Sequence, residues 1–318
     1  MLAGQGAGAA CPAVVTELAT DRETAVLHQP RTRCREICEA DIDAVADLLT
    51  RGFASRSRQY WLLGLRRQAA REVPPGYPRF GYLLEHEGVA VGVLLLLYTS
   101  RADGGAATIY CNLSSWYVEP AFRNYAPLLT KIAQRNKEVT YLNISPATWT
   151  WPIIEALGFR SYCSGLFVSI PALSRPRPGT LVEIVSPGTR AIEGLPAAEA
   201  ELLARHARLG CLSLLCRSQS GEAMPFILLP MRIRQGWIAP PAMQLIYCRD
   251  VTEFVACAGT IGRLLLRRGK FAAVLDSNGP VPGLTGFYFG ARGRKYFKGP
   301  HQPRLADLTD TEVVLYGP

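Results

Sequence analysis

The chain has 318 residues, 48% of them hydrophobic and 19% charged, with 29 Gly and 23 Pro, a composition that excludes a disordered or fibrous chain. At roughly 150 residues per domain the length predicts two domains, each able to bury a core without disulfide staples, so small-scaffold readings fall away. Lys plus Arg number 35 against 26 Asp plus Glu, a net charge of +9, which would favour an anionic ligand if focused on one face.

The densest basic stretches are Arg263 with Arg267, Arg268 and Lys270, and Arg292 with Arg294, Lys295 and Lys298. Neither carries a DNA- or RNA-reading motif, so both read as solvated faces and no nucleic-acid partner is expected. The nine cysteines include no C-x-x-C pair, and no histidine stands at metal-ligand spacing, which predicts small buried hydrophobes in a reducing cytoplasm and no metal site. Residues 1–13 are rich in Gly and Ala without a basic n-region or a continuous apolar core, and residues 1–30 read as a flexible tail. The most apolar run, 89–98, is too short to cross a bilayer and reads as a buried strand, so no membrane partner is expected.

In chain order, residues 33–38 read as a strand, and Asp41, a candidate N-cap, opens a run with Ile42, Val45, Leu48, Leu49 and Phe53 at helical spacing. A second helix over 57–71 ends at VPPGYP, where prolines and glycine break it. Strands over 80–85 and 89–98 flank His86-Glu87-Gly88, a hairpin turn. An extended segment over 106–118 meets Pro120 before a helix with Leu128, Leu129, Ile132 and Ala133 on its apolar face. A strand over 139–144, a helix over 149–157, a Gly158 cap and one long strand or a strand pair over 159–170 complete this half.

Residues 171–188 hold Pro171, Pro176, Pro178, Gly179, Pro187 and Gly188, so the domains are placed at 31–175 and 176–318. The second half predicts a helix over 197–209, strands over 211–216, 225–233 and 243–248, a helix over 251–267 and a strand over 271–276, with 279–286 as a flexible loop. Its strand-helix-strand unit over 243–276 mirrors that over 113–144, which points to a diverged internal duplication.

The most informative stretch is 113–159. Its strand ends Trp116-Tyr117-Val118-Glu119-Pro120, and Arg123 follows just ahead of a helix, placing backbone N–H groups and the positive end of the helix dipole where a pyrophosphate would dock. With Val118-x-Pro120, Arg123 and Leu157-Gly158-Phe159, and with Glu87-Gly88 and Val91-Gly92 upstream, residues 33–170 resemble the GNAT superfamily of acyl-CoA-dependent N-acyltransferases. The resemblance implies an α+β (mixed α/β) fold of tandem GNAT-like domains, each a twisted mixed sheet flanked by helices, the second a degenerate copy. It also implies a function as an acyl-CoA-dependent N-acyltransferase, with acetyl-CoA or another acyl-CoA as co-substrate and a primary amine of a small molecule as acceptor.

Carried onto this sequence, the donor site comprises Trp116, Val118, Arg123, Asn124, Tyr125, Ala126 and Leu128, and the family's bulged strand would aim a backbone N–H at the thioester oxygen. Three positions depart from the pattern: Ala126 stands where the phosphate loop has its first glycine, Leu128 stands at its second small position, and Pro127 between them has no N–H. The family's tyrosine acid falls on Ile154; a thiolate leaves without much help, since its conjugate thiol has a pKa of about 8.5. Tyr117 and Ser145 are the candidate catalytic groups. Each also has a plain structural reading, Tyr117 as a residue packed on the sheet and Ser145 as a turn residue before Pro146. Trp149, Trp151 and Pro152 read as an apolar wall or as core. A catalytically inactive binding or regulatory module of the same fold is the alternative function.

Overall fold

The computed structural model describes residues 32–103, 106–232 and 240–317; the tail over 1–30 and Ile233 lie outside them. The chain divides into two compact units, Met1–Tyr141 and Leu142–Pro318. The proline-rich stretch expected to separate domains at 175/176 therefore falls inside the second unit.

In the first unit, β1 (Thr32–Glu36), β2 (Gly81–His86), β3 (Val89–Asp103) and β4 (Ala106–Val118) form antiparallel neighbours in that order. The β2–β3 turn places Glu87 at φ 51 and Gly88 at φ 83, the paired positive angles that a two-residue hairpin turn requires and that glycine adopts without strain. Helix α1 (Ile42–Gly52) buries Val45, Ala46, Leu48 and Leu49, the stripe expected from their spacing. Asp41 is not its side-chain cap. A 3-10 turn, Glu39–Asp41, precedes the helix, and the Asp41 carboxylate instead accepts the Cys38 N–H at 2.9 Å and pairs with Arg35 at 2.7 Å. Helix α2 (Arg58–Ala69) is capped by Ser57, whose Oγ accepts the Tyr60 N–H, and buried Gln68 donates to the Leu96 carbonyl at 2.8 Å, tying the helix to β3. After β4 come a 3-10 segment (Pro120–Tyr125) and α3 (Ala126–Ala133). Strand β5 (Thr140–Asn143) spans the division between the units.

The second unit contains α4 (Trp151–Ala156), β6 (Arg160–Ser169), β7 (Leu181–Ile184), α5 (Ala197–Arg208), β8 (Leu212–Arg217), β9 (Ala223–Arg232), β10 (Pro241–Tyr247), α6 (Val251–Arg267), β11 (Ala272–Ser277), β12 (Gly286–Lys298) and α7 (Glu312–Leu315). Its strands run in the order β12-β6-β11-β10-β9-β8-β7. Strand β6 pairs antiparallel with both β11 and β12, which is why residues 160–169 belong with the C-terminal half of the chain. Strands β10 and β11 run parallel, as the intervening helix α6 demands. Phe226 and Phe254 meet edge to face at 5.9 Å inside a core with Phe167, Leu228, Leu245 and Ile261.

Two expectations are corrected here. The predicted basic face around Lys295 is not solvated throughout: Lys295 is 3% exposed, and its Nζ donates to Asp276 at 2.6 Å and to the Gly293 carbonyl at 3.1 Å. The loop expected over 279–286 ends at Thr285, and the long strand β12, absent from the expectations above, begins at Gly286. Among the described residues no helix is long and apolar enough to cross a membrane.

Candidate functional site

The stretch read as a donor site is continuous in the first unit. Strand β4 advances three residues, from Leu113 to Trp116, while β3 advances two, from Leu96 to Leu94. The extra residue is a bulge at Ser114–Ser115, the feature expected of this strand. Ser114 is 8% exposed, and among the described residues its Oγ has no hydrogen-bond partner. Beyond the bulge, Trp116 is 37% exposed, whereas Val118 is buried against Gly92. A Cβ at Gly92 would stand 3.2 Å from Val118 and 3.0 Å from Leu84, so a small residue there lets the two strands close.

Tyr117 packs. A Cβ built on Gly52 would lie 2.4 Å from the Tyr117 ring, so the ring rests on the backbone at the end of α1, with Phe53 at 6.4 Å between centroids. Glu119, next in line, is held by Arg51 of α1 at 2.8 Å and donates its N–H to the Val91 carbonyl at 2.9 Å.

The α-helix begins just past Arg123, at Ala126, as expected, but a 3-10 segment beginning at Pro120 precedes it and takes in Arg123. The Phe122 N–H bonds the Glu119 carbonyl at 2.9 Å and the Ala126 N–H bonds the Arg123 carbonyl. Because the 3-10 segment runs on into α3, these donors are spent inside the chain. What the segment offers an anion is a side chain: Arg123 is exposed, as are Asn124 and Tyr125, while Ala126 and Leu128 are half-buried.

Ser145 lies in the second unit and is exposed. Its hydroxyl donates to Glu312, the first residue of α7. Glu312 is absent from the sequence reading, and with the partners 167 positions apart no local signal could have raised it. Nearby, Trp149 is 80% exposed and Trp151 lies beneath the Arg294 guanidinium at 4.5 Å. Pro152 fits in the first turn of α4, and Ile154 is buried where the acid would stand.

The second unit repeats the bulged arrangement. Strand β10 carries an extra residue at Ile246 where it pairs with β9, and it pairs with β11 over only 242–244 against 272–274. Beyond these pairs the chain's own C-terminal segment takes the open edge of β10: the Leu308 N–H bonds the Ile246 carbonyl at 2.8 Å, the Cys248 N–H bonds the Ala306 carbonyl at 3.2 Å, and Tyr247 bridges Asp307. Asp250 caps α6, its Oδ1 accepting the Thr252 N–H at 2.7 Å. The one cation of Cys248-Arg249-Asp250 is committed too, since Arg249 and the Tyr247 hydroxyl both bond Glu199 and hold that carboxyl below its ordinary range. Cys248 stands just ahead of the helix, but burial pushes its thiol up to about 12, so it is no nucleophile.

No family model matches the sequence, and no curated protein does. Solved structures do. A GCN5-related N-acetyltransferase from Anabaena variabilis aligns with TM-score 0.54 at 12% identity, over 84% of this chain and 72% of that one. One from Kribbella flavida aligns with TM-score 0.53 at 14% identity, over 84% and 70%. The chain has the fold of the GCN5-related N-acetyltransferases, a mixed α/β architecture.

Proposed function

We propose that the chain is an acyl-CoA-dependent N-acyltransferase, that its first unit holds the donor, and that its second unit is a diverged copy without a donor site. The observation that carries this reading is the bulge at Ser114–Ser115 in β4, followed within one strand end by exposed Arg123, in a GNAT fold. A bulge turns a backbone N–H out of the ladder. Aimed at a thioester oxygen, such a donor meets the charge that develops as the carbonyl carbon becomes tetrahedral, a contribution of roughly 3 kcal/mol.

The neutral amine attacks that carbon, the C–N bond forms, the C–S bond breaks, and CoA leaves as the thiol once the amine's proton has been passed on. Arg123 meets the pyrophosphate as a charged fork rather than through a backbone cradle, because the Ala126 N–H is already bonded and Pro127 has none. Ser145 and the Glu312 carboxylate to which it donates both lie in the second unit and take no part in this reading. Tyr117 contributes its ring. Acetyl-CoA is the donor and a small-molecule primary amine the acceptor in this reading.

The loss of the second unit's site follows from what fills it: segment 306–308 lies where β10 is left open, and Arg249 is neutralised by Glu199. A second reading, a binding module without turnover, is favoured by the bonded Ala126 N–H and by Ile154 in the acid's place. Release of free CoA thiol from acetyl-CoA across a broad panel of primary amines separates the two. Sustained, amine-dependent release supports transfer; acetyl-CoA binding with no release for any amine supports the binding module.

A further inference from the structure

The second unit carries a hollow of about 510 Å³ that the acyl-transfer reading does not use, with Arg175, Arg177, Arg263 and Arg267 on its lining. One wall is α6, where Thr260, Arg263, Leu264 and Arg267 recur at helical spacing and so share a face. The other wall is the segment Arg175-Pro176-Arg177-Pro178, leading into Thr180 and Val182. Alternating prolines fix φ along this segment and reduce the entropy of holding its arginines in place.

The close approach of the two walls is written into two glycines of α6. A Cβ on Gly259 would stand 2.5 Å from the Pro176 nitrogen, and one on Gly262 would stand 2.3 Å from the Ala172 nitrogen. Only hydrogen at both positions lets the segment lie directly on the helix.

Charge in the hollow is of one sign. None of the residues lining it is acidic, and among the described residues none of the four guanidinium groups has an ion-pair partner. The nearest carboxylate on β7, Glu183, follows Val182 and so points to the opposite face of the strand, where it pairs with Arg217 at 3.6 Å. Arg177 also borders a neighbouring hollow lined by Glu222 and Glu253, which leaves Arg175, Arg263 and Arg267 as the cations without acidic company. Four like charges around one cavity repel one another unless an anion sits among them. The basic run Arg263, Arg267, Arg268 and Lys270 thus divides: its first two members line the hollow and its last two do not.

We propose that this hollow binds a small anion bearing at least two adjacent phosphoryl groups, such as inorganic pyrophosphate or a nucleoside di- or triphosphate. Arg263 and Arg267 are one turn apart on α6, with side chains about 5–6 Å from each other at their roots, a spacing that suits linked phosphates better than one. Guanidinium forks bind phosphate oxygens two at a time. Leu264, Val182 and Pro176 add an apolar surface on which a nucleobase can rest.

The test is calorimetric titration of the full chain at low ionic strength with inorganic pyrophosphate and, separately, with ATP. It is repeated on R263Q/R267Q, on R175Q/R177Q and on Arg123→Glu, with circular dichroism to verify folding. Expected is binding of pyrophosphate to the parent, weakened roughly 100-fold in either double variant at about tenfold per guanidinium, and unchanged by Arg123→Glu. Tighter binding of ATP than of pyrophosphate assigns the apolar surface to a nucleoside; equal binding assigns the site to the diphosphate alone. The proposal is overturned if the parent binds neither probe, if both double variants bind as the parent does, or if the loss follows Arg123→Glu instead. The second double variant lies on a segment outside any helix or strand, so a folding failure of the first leaves the question decided.

Discussion

Leu308 donates its backbone N–H to the carbonyl oxygen of Ile246 at 2.8 Å, and through that bond the C-terminal part of the chain becomes a neighbour of β10 where β11 has left it. Leu308 itself is 1% exposed. Replacing Leu308 by Pro removes the donor and leaves a carbonyl unsatisfied, so a loss of about 2–4 kcal/mol is expected once the side-chain packing is included. Leu308→Met, which keeps the N–H, should cost less than about 1.5 kcal/mol. Urea denaturation of both variants measures this; equal midpoints would show that segment 306–308 does not seal the strand edge.

Gly52 and Tyr117 make the second prediction. A methyl group on Gly52 collides with the Tyr117 ring, so Gly52→Ala should destabilise by about 1–3 kcal/mol as an overpacked site. Tyr117→Phe keeps the ring and should stay within about 0.5 kcal/mol of the parent. If Tyr117→Phe instead folds normally and abolishes thiol release, the hydroxyl is a reacting group and the packing assignment fails.

These two cases show what was legible in the sequence. Helices α1 and α6 were legible because Val45, Leu48 and Leu49, and likewise Phe254, Ile261 and Leu265, recur at a helical period and are buried. Asp250 was readable as a cap, since its bonds are local. Asp41 was not, because its carboxylate is drawn to Arg35, and the arginine that redirects it sits on β1. Strand β12 was hidden by its charges. Arg292, Arg294 and Lys295 look like a solvated run until Asp276, on another strand, takes Lys295 inside; the consecutive aromatics Phe287, Tyr288 and Phe289 are the local hint of a strand. In the donor stretch the bulge, exposed Arg123 and the helix start just past it were within reach of a motif, but the 3-10 segment from Pro120 and the Ser145–Glu312 pair were not.

Asp41 carries the pH dependence. Burial raises its pKa, but hydrogen bonds from Arg35 and from Cys38 outweigh this and hold it at about 2. A carboxyl lower in the folded than in the unfolded chain stabilises above the unfolded value of about 3.9, and the contribution is lost as pH falls toward the folded one. Its size is at most about 2.6 kcal/mol, reduced by solvent around the pair. Asp41→Asn should therefore lower the urea midpoint at neutral pH, and the gap to the parent should close between about pH 4 and pH 2. A gap that stays constant over that range contradicts the assignment.

Lys295 and Asp276 are 3% and 0% exposed in their side chains. Asp276→Asn leaves a buried ammonium without its counter-charge and should cost about 3–5 kcal/mol. The double change Asp276→Leu with Lys295→Met should recover most of that, because a buried pair is often replaceable by apolar groups of similar volume. Thermal or urea unfolding of the two variants checks it, and a double variant less stable than Asp276→Asn would point to a role for the pair beyond mutual neutralisation.

The most direct measurement of the account as a whole is calorimetric titration of the full chain with acetyl-CoA, alongside Arg123→Glu. Binding at the first-unit site is expected, weakened in the variant by about 1–3 kcal/mol if the guanidinium meets the pyrophosphate, whereas a second molecule held by its pyrophosphate in the arginine-lined hollow would be lost in R263Q/R267Q and kept in Arg123→Glu. Binding indifferent to Arg123→Glu would contradict a donor site in the first unit, and no binding at all would exclude acyl-CoA as the donor.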